Sequence, residues 1–387
     1  MPRRTYGIIL AGGEGIRLNQ LTRYIAKPIV PYAGNTNTLS LALGSLLGCG
    51  ILNVDIYVQY AQQSITQFAK EYWQPVLAAE QTLRVVGPRI KSGYRGTADA
   101  VFHNLDEIKR VNPDYVIVTA ADHATWIDYD KLRRFLQSRG GDAAIMVTPV
   151  ERESATGRLG VLEINARHKV LDFQEKPDYP VAMPGHPDKA LASMGVYIFK
   201  KDFLISILER AEREHHGRHD FGKHIIPMAL DDGAKIYAHY FEDYWEDLGS
   251  VPTYFWAQIR DLLGPSPRFN PHTNPFVPEL GIKQQMLPPV NICDAAITNG
   301  TLISSGCVIQ KSMLEHVILS PRVKIETGVS LKDAIVHHGA TVGHGSHLER
   351  VIIGKDVIIP PNTVITPEKV DYQGEFFGGK NKITIVV

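Results

Sequence analysis

A loop rich in glycine and positive charge follows the first apolar run of the sequence, which extends from Tyr6 to Leu10. Three glycines and two of the cations of this loop are the candidates for chemistry: Gly12, Gly13, Gly15, Arg17 and Lys27. Glycine permits positive φ and lets backbone N–H groups approach an anion closely, while arginine and lysine add fixed positive charge. The pattern predicts a triphosphate-binding loop. A glycine-rich turn with incidental surface cations is the alternative.

Two standard phosphate-binding fingerprints are absent from this loop. A dinucleotide-binding G-x-G-x-x-G motif would need glycine where Leu18 stands, and no Gly-Lys-Ser/Thr of a Walker A motif follows. The loop is therefore neither a classical dinucleotide site nor a P-loop, although the physical basis for holding phosphate is the same.

A carboxylate at the end of an apolar run is the second candidate for chemistry. Residues 115–122 read as a buried strand that ends in Asp122. Ligands of open α/β sheets bind beyond the carboxyl ends of the strands, and Mg²⁺ prefers one or two carboxylates together with phosphate oxygens. The residue alone leaves two interpretations open, a metal ligand and a helix cap.

Alternating strand-like and helix-like segments predict how residues 1–262 position these groups. The expected strands are 6–10, 54–59, 115–122, 143–150, 194–199 and 234–241. A helix is expected over 97–111, with Thr97 as its N-cap and Val101, Phe102, Leu105 and Ile108 at helical spacing. This alternation is typical of a Rossmann-like α/β domain with a mainly parallel sheet covered on both faces.

The remainder of the chain has a different pattern. Residues 263–290 are rich in proline, which predicts a linker without regular helix or central strand. Apolar residues then recur every six positions, as Ile297-Ile303-Ile309, Val317-Val323-Val329-Ile335, Val336-Val342-Leu348 and Ile353-Ile359-Ile365. A repeat of six indicates a left-handed parallel β-helix over 291–387, in which each sixth residue points into the core. A β-sandwich with chance spacing is the alternative.

Composition excludes several classes of function. Acidic and basic residues balance at 41 each, so no basic excess points to nucleic acid. Three widely spaced cysteines without a C-x-x-C pair argue against a disulfide framework and favour the cytoplasm. No run approaches the roughly 20 apolar residues that span a bilayer, and the first apolar run is too short for a signal peptide. We expect no membrane or nucleic-acid partner.

The order of motifs resembles that of the sugar-nucleotide pyrophosphorylases, and among them the ADP-glucose pyrophosphorylases (glucose-1-phosphate adenylyltransferases). The resemblance covers nearly the whole chain, including the β-helical part. The segments that carry it are LAGGEGIRL (10–18), AKP (26–28), YRGTADA (94–100), FQEKP (173–177), DFGK (220–223) and WEDLG (245–249).

This resemblance implies roles for individual residues. The implied nucleotide-binding residues are Leu10, Ala11, Gly12, Gly13, Gly15, Gln59, Tyr94, Gly96 and Thr97. The implied sugar-phosphate-binding residues are Gly160, Glu175, Lys176, Ser193 and Asp220. It also implies Mg²⁺ as the cofactor, held by Asp122 and Asp247, and catalytic roles for Arg17, Lys27 and Asp122.

The implied reaction is an in-line attack of glucose 1-phosphate on the α-phosphate of ATP, which gives ADP-glucose for glycogen or another glucan and releases pyrophosphate. Arg17 and the glycine amides would hold the β- and γ-phosphates, Lys27 would lie near the α-phosphate, and Lys176 would anchor the attacking phosphate. The family commonly forms homotetramers, and a hetero-oligomer with a related subunit is a further possibility.

Three other functions stay open at this stage. One is a pyrophosphorylase for another pair, such as GTP or UTP with glucose or mannose 1-phosphate. A second is a non-catalytic regulatory subunit. The third is an acyltransferase, suggested by the histidines of the second domain, which we instead expect at turns and corners: His337, His338, His344 and His347.

Overall fold

The computed structural model describes residues 4–23, 25–89, 92–214, 219–271, 287–298, 300–372, 376–378 and 382–387. The strands of the first domain are β1 (Thr5–Ala11), β2 (Asn53–Val58), β3 (Thr82–Val86), β4 (Tyr115–Ala120), β5 (His123–Ala124), β6 (Ala143–Glu151), β7 (Gly160–Ile164), β8 (Val170–Glu175), β9 (Lys189–Lys200), β10 (Ile236–Tyr240) and β11 (Glu246–Asp247).

The large sheet of this domain has the strand order β10-β6-β9-β4-β1-β2-β3, with β7 and β8 attached beside β9. Strands β3, β2, β1 and β4 run parallel to one another, and β6 runs parallel to β10. The predicted mainly parallel sheet is therefore confirmed. Strand β9 pairs antiparallel with β4, β6 and β7, and β7 pairs antiparallel with β8. The apolar run of β9 did not indicate this reversed direction.

Helices cover both faces of the sheet, as predicted. They are α1 (Thr38–Gly48), α2 (Gln62–Phe68), α3 (Thr97–Phe102), α4 (Leu105–Val111), α5 (Tyr129–Arg139), α6 (Arg152–Ala155), α7 (Lys201–Glu214), α8 (Ile226–Asp231) and α9 (Val251–Ile259). Leu43 of α1 and Leu132 of α5 pack in one apolar core, and Val101 of α3 and Leu204 of α7 pack in another. The alternate faces of each strand supply these two cores.

The single helix predicted over 97–111 is wrong in two respects. It is two helices, because Asn104 leaves helical geometry and its side-chain amide donates to the carbonyl of Ala100 at 2.8 Å. The N-cap is Gly96 rather than Thr97. The Thr97 hydroxyl instead donates to Asp220 Oδ2 at 2.9 Å, so a tertiary contact replaces the expected cap.

The second domain consists of short strands that stack mainly in parallel, except that 370–371 pairs antiparallel with 364–365 and 376–378 pairs antiparallel with 384–386. They are β12 (Asn291–Ile292), β13 (Ala296–Ile297), β14 (Leu302–Ile303), β15 (Val308–Ile309), β16 (Met313–Leu319), β17 (Lys324–Ile325), β18 (Ser330–Val336), β19 (Thr341–Val342), β20 (His347–Ile353), β21 (Ile358–Ile359), β22 (Val364–Ile365), β23 (Val370–Asp371), β24 (Phe376–Gly378) and β25 (Thr384–Val386). Leu314, Leu331, Leu348 and Ile365 stack in one buried column. This is the architecture predicted from the six-residue repeat.

The predicted repeat marks most of the interior correctly. Buried members are Ile309, Val317, Val323, Val329, Val336, Val342, Leu348, Ile353, Ile359 and Ile365. Ile335 is buried on the outer face instead, because Ala334 takes the interior position in register with Val317. Ile297 lies on the first coil and stays exposed.

The proline-rich linker predicted for 263–290 falls partly outside the described residues. Its described parts, 263–271 and 287–290, contain neither helix nor strand. No helix in the described parts of the chain has the length and apolar character needed to cross a membrane.

The outer face of the β-helix packs against the first domain through Ile318, Ile335 and Ile352, which lie in one apolar cluster with Phe255 of α9. A polar contact lies beside this cluster. The Tyr254 hydroxyl donates to the carbonyl of Pro31 and lies 3.0 Å from His337 Nε2. Because the hydroxyl proton goes to the carbonyl, the neutral histidine must donate through Nε2.

This buried contact predicts an acid-sensitive stability. Burial lowers the pKa of His337 from 6.5 to about 4. Between these two pH values the unfolded chain binds a proton that the folded chain excludes, so stability falls as pH drops through the window, by up to about 3 kcal/mol. Urea unfolding of the wild type and of His337→Gln at pH 7.5 and 5.0 should show a smaller loss in the variant. An equal loss in both proteins would contradict the prediction.

Candidate active site

Most of the residues singled out from the sequence line one cavity of about 490 Å³, which opens at the carboxyl ends of β1, β2 and β4. Those that line it are Leu10, Gly12, Gly13, Arg17, Gln59, Tyr94, Gly96, Thr97, Asp122, Gly160, Glu175, Lys176, Ser193, Asp220 and Asp247. Ala11, Gly15 and Lys27 lie outside this lining. The cavity is where ligands of open α/β sheets bind.

Gly15 shapes the glycine loop rather than facing the cavity. Its φ is +76°, and a Cβ there would lie 3.0 Å from Thr22 and 3.2 Å from Lys27. Its carbonyl accepts hydrogen bonds from the Leu18 N–H at 2.8 Å and the Thr22 hydroxyl at 3.1 Å. These bonds start the 3₁₀ helix Ile16–Thr22, which carries the exposed Arg17 to the cavity.

Two short strands bring distant carboxylates together. Strand β5 pairs antiparallel with β11, which places His123 opposite Asp247, and the Leu248 N–H donates to the carbonyl of Asp122 at 3.2 Å. As a result, ligand atoms of Asp122, His123 and Asp247 all lie within 4.8 Å of one another. Two carboxylates this close, facing a cavity with cationic walls, form a donor set that suits Mg²⁺ bound with phosphate oxygens.

Lys27 holds Asp122 in its ionised form. Its ammonium group lies 2.5 Å from Asp122 Oδ2, while His123 Nε2 lies 3.4 Å from Oδ1. Burial acts to raise the pKa of Asp122, but Lys27 and His123 outweigh it and bring the pKa to about 2. Asp122 is therefore a carboxylate at neutral pH and can bind a cation without releasing a proton.

The wall predicted to face the nucleotide is rigidly built. Gln59 Oε1 accepts a hydrogen bond from the Tyr94 N–H at 2.6 Å, which ties the end of β2 to the loop before α3. Any Cβ on Gly96 would lie 2.4 Å from the carbonyl oxygen of His219, so only glycine fits at this position. The same carbonyl accepts from the N–H groups of Ala98 and Asp99.

The opposite wall holds the residues predicted to bind the sugar phosphate. Burial raises the pKa of Glu175, although Lys176, whose ammonium lies 3.3 Å away, acts to lower it. A Cβ on Gly160 would lie 2.6 Å from the Phe173 ring and 3.2 Å from Glu175 Oε2, so glycine leaves this carboxylate open to the cavity. Ser193 Oγ accepts the Gly195 N–H at 3.2 Å.

The two walls are joined by hydrogen bonds. Thr97 Oγ1 donates to Asp220 Oδ2 and accepts from the Phe221 N–H at 3.0 Å. Lys223 N–H donates to the other oxygen of Asp220 at 3.0 Å, which fixes the carboxylate at the start of the next segment. Residues expected to contact different substrates therefore form one connected unit.

Several residues of the cavity were not singled out from the sequence: Arg95, His123, Arg158, Tyr197, Gly222 and Trp245. Five of them had a usable signal. His123 directly follows Asp122, and Arg158 precedes Gly160 in RLG. The segments YRGTADA, DFGK and WEDLG contain Arg95, Gly222 and Trp245. Tyr197 reaches the cavity through tertiary packing.

A second group of possible metal ligands comprises Asp99, Glu212 and His219. The Arg95 guanidinium already occupies it, at 2.7 Å from Asp99 and 3.0 Å from Glu212, so an ion-pair network is the simpler account. Within the described part of the chain, neither group of possible ligands includes a histidine of the second domain. His338 and His344 lie at turns as expected, whereas His347 begins β20.

Comparison with known proteins agrees with this architecture. Residues 6–262 match the nucleotidyl transferase family, and residues 292–386 match the GlmU-like C-terminal hexapeptide family. The chain belongs to the nucleotidyl transferase family. It is 32% identical to a glucose-1-phosphate adenylyltransferase of Paramagnetospirillum magneticum, over 99% of this chain and 93% of the relative. It is 33% identical to that of Paraburkholderia phytofirmans, over 100% of this chain and 96% of the relative. The resemblance stated from the sequence is confirmed.

Proposed function

We propose that this chain is a glucose-1-phosphate adenylyltransferase, which converts ATP and glucose 1-phosphate to ADP-glucose and pyrophosphate for glucan synthesis. One observation carries the proposal: the carboxylates of Asp122 and Asp247 meet in the cavity that the glycine loop and Glu175 also line. A transfer between two phosphate anions needs alignment and cancellation of charge at one point, and this arrangement supplies both.

A magnesium ion held by Asp122 and Asp247 would neutralise charge on the triphosphate. Backbone and side-chain groups of the chain itself make the other contacts with the substrates. The N–H groups near Gly12 and Gly13 and the Arg17 guanidinium bind the β- and γ-phosphates and stabilise the departing pyrophosphate. Lys176 holds the phosphate of the sugar phosphate, and Glu175 accepts hydrogen bonds from the sugar hydroxyls.

Lys27, which is expected to lie near the α-phosphate, pairs with Asp122 and is not among the residues that line the cavity. We propose that Lys27 acts there by keeping Asp122 ionised and oriented, so its contact with phosphate depends on a shift of its flexible side chain on substrate binding. A Cβ added at position 15 would lie 3.2 Å from the Cβ of Lys27, so glycine at this position leaves room for the Lys27 side chain.

We further propose that the protein acts in the cytoplasm as a homotetramer or as a hetero-oligomer with a related subunit. The free state of Cys49, Cys293 and Cys307 supports a reducing compartment. The tetramer rests on the family resemblance, and light scattering of the purified protein would measure it directly.

A substrate panel tests the proposed reaction. ATP, GTP and UTP are each combined with glucose 1-phosphate or mannose 1-phosphate, and pyrophosphate release is followed. ATP with glucose 1-phosphate should give the highest kcat/KM. A higher value for another pair would identify a different pyrophosphorylase. No turnover with any pair, together with activation of a related enzyme, would identify a regulatory subunit.

A further inference from the structure

We propose that His123 is a third protein ligand of the divalent cation, and that its nitrogen makes the site bind Mn²⁺ and Co²⁺ in preference to Mg²⁺. The inference rests on the proposed function, because it assumes that Asp122 and Asp247 hold a cation. The inference adds an imidazole nitrogen as a third donor to the two carboxylates.

The distances between donor atoms match a shared ion. Ligands at the 2.0–2.1 Å typical of an octahedral ion lie about 3 Å apart when adjacent and about 4 Å apart when opposite. His123 Nε2 lies 3.4 Å from Asp122 Oδ1, and all three donor atoms, including that of Asp247, lie within 4.8 Å of one another.

The ring of His123 is held in place on several sides. Its side chain is 11% exposed, and it packs edge-on against Trp245, with ring centroids 5.2 Å apart. Its backbone is fixed by the pairing of β5 with β11, which also carries Asp247. Gly195 of β9 lies against the ring, since a Cβ there would be 3.5 Å from His123 Cε1. A donor fixed this way loses little entropy when it binds an ion.

The partners of Asp122 leave the required oxygen available. Lys27 pairs with Oδ2, whereas Oδ1 is the oxygen beside His123. One oxygen therefore serves the ion pair and the other can serve the cation. Lysine and histidine do not compete for the same coordinating atom.

The nitrogen donor has a consequence for metal choice. Mg²⁺ prefers oxygen ligands and keeps several waters, whereas imidazole binds first-row transition ions more strongly, with an affinity that rises from Mn²⁺ to Co²⁺. A site of two carboxylates alone would show a smaller preference for these ions. We therefore expect Mn²⁺ and Co²⁺ to bind more tightly than Mg²⁺ when no nucleotide is present.

Pulsed electron paramagnetic resonance of bound Mn²⁺ tests the assignment directly. The untagged protein is loaded with Mn²⁺ and inorganic pyrophosphate, which contains no nitrogen. The wild type should show the ¹⁴N coupling of a coordinated imidazole. His123→Ala should abolish that coupling and weaken Mn²⁺ binding by at least about tenfold, with a smaller effect on Mg²⁺. His186→Ala, at an exposed turn, is the matched control and should behave as the wild type.

The outcomes separate this inference from the proposed function. Wild-type Mn²⁺ without imidazole coupling, while Asp122→Asn and Asp247→Asn lose Mn²⁺ binding, would overturn the role of His123 and leave the carboxylate site intact. Unchanged Mn²⁺ binding in both aspartate variants would overturn the carboxylate site, and this inference with it. The wild-type spectrum does not depend on whether any variant folds.

Discussion

Replacing Asp247 with asparagine should lower kcat/KM for nucleotide transfer by about 10²–10³, and Asp122→Asn should cost at least as much, which is the typical loss for one preorganised electrostatic group. Both carboxylates face the cavity, and the proposed reaction brings two phosphate anions to this point. Asparagine keeps the size of the side chain and removes its charge. Initial rates of pyrophosphate release at saturating Mg²⁺ measure the loss.

The two asparagine variants should differ in thermal stability. Asp122 is also the partner of the largely buried side chain of Lys27, so Asp122→Asn weakens an ion pair and should lower Tm as well as activity. Asp247→Asn should reduce activity with little change in Tm. Asp243→Asn is the matched control, because Asp243 is exposed and lies on the same segment. Activity within a factor of three of the wild type in Asp247→Asn would contradict the proposed role of this residue.

The features that sequence predicted best depend on short-range chemistry. The glycine loop and Asp122 follow β1 and β4 directly, and the carboxyl ends of parallel neighbours share one edge of the sheet. Their meeting in one cavity follows from that rule. The six-residue repeat is likewise local, because each coil of the β-helix uses the same spacing to fill its interior.

The features that sequence missed depend on partners distant in the chain. The reversed direction of β9 was not encoded in its apolar run, because a strand buried on both faces looks the same in either orientation. Ile335 was assigned to the wrong face because the first domain covers it, which a repeat inside the β-helix cannot reveal. The Thr97 hydroxyl does not cap the helix as expected, because it donates to Asp220, which is distant in the chain.

Asp247 and His123 stand between the features that the sequence predicted and those that it missed. Asp122 could be read as a metal ligand or a cap, and Asp247 gained its role only from the family resemblance. The two-residue pairing of β5 with β11 joins them, and strands this short carry no detectable periodicity. The same pairing places His123 at the site, which explains why the histidine was overlooked although it adjoins Asp122.

Replacing Arg17 with alanine should also lower kcat/KM by about 10²–10³, through loss of the group proposed to hold the leaving pyrophosphate. The structure places this guanidinium beside the carboxylate of Asp247: a Cβ on Gly249 would lie 2.9 Å from both Arg17 Nη2 and Asp247 Oδ1. Arg17 therefore lines the same part of the cavity as Asp247, although it lies on a separate segment. Initial rates of the forward reaction with ATP measure this loss of kcat/KM.

The reverse reaction and a conservative variant distinguish phosphate binding from a structural role. Arg17→Lys keeps the charge but loses the planar fork that binds two phosphate oxygens, so it should fall between Arg17→Ala and the wild type. Arg17→Ala should raise KM for pyrophosphate more than KM for ADP-glucose. Arg167→Ala, at an exposed turn, should leave both constants unchanged. Equal increases in the two KM values would show that Arg17 supports the shape of the loop and does not bind the leaving group. A distorted loop would weaken the binding of pyrophosphate and of ADP-glucose to the same extent.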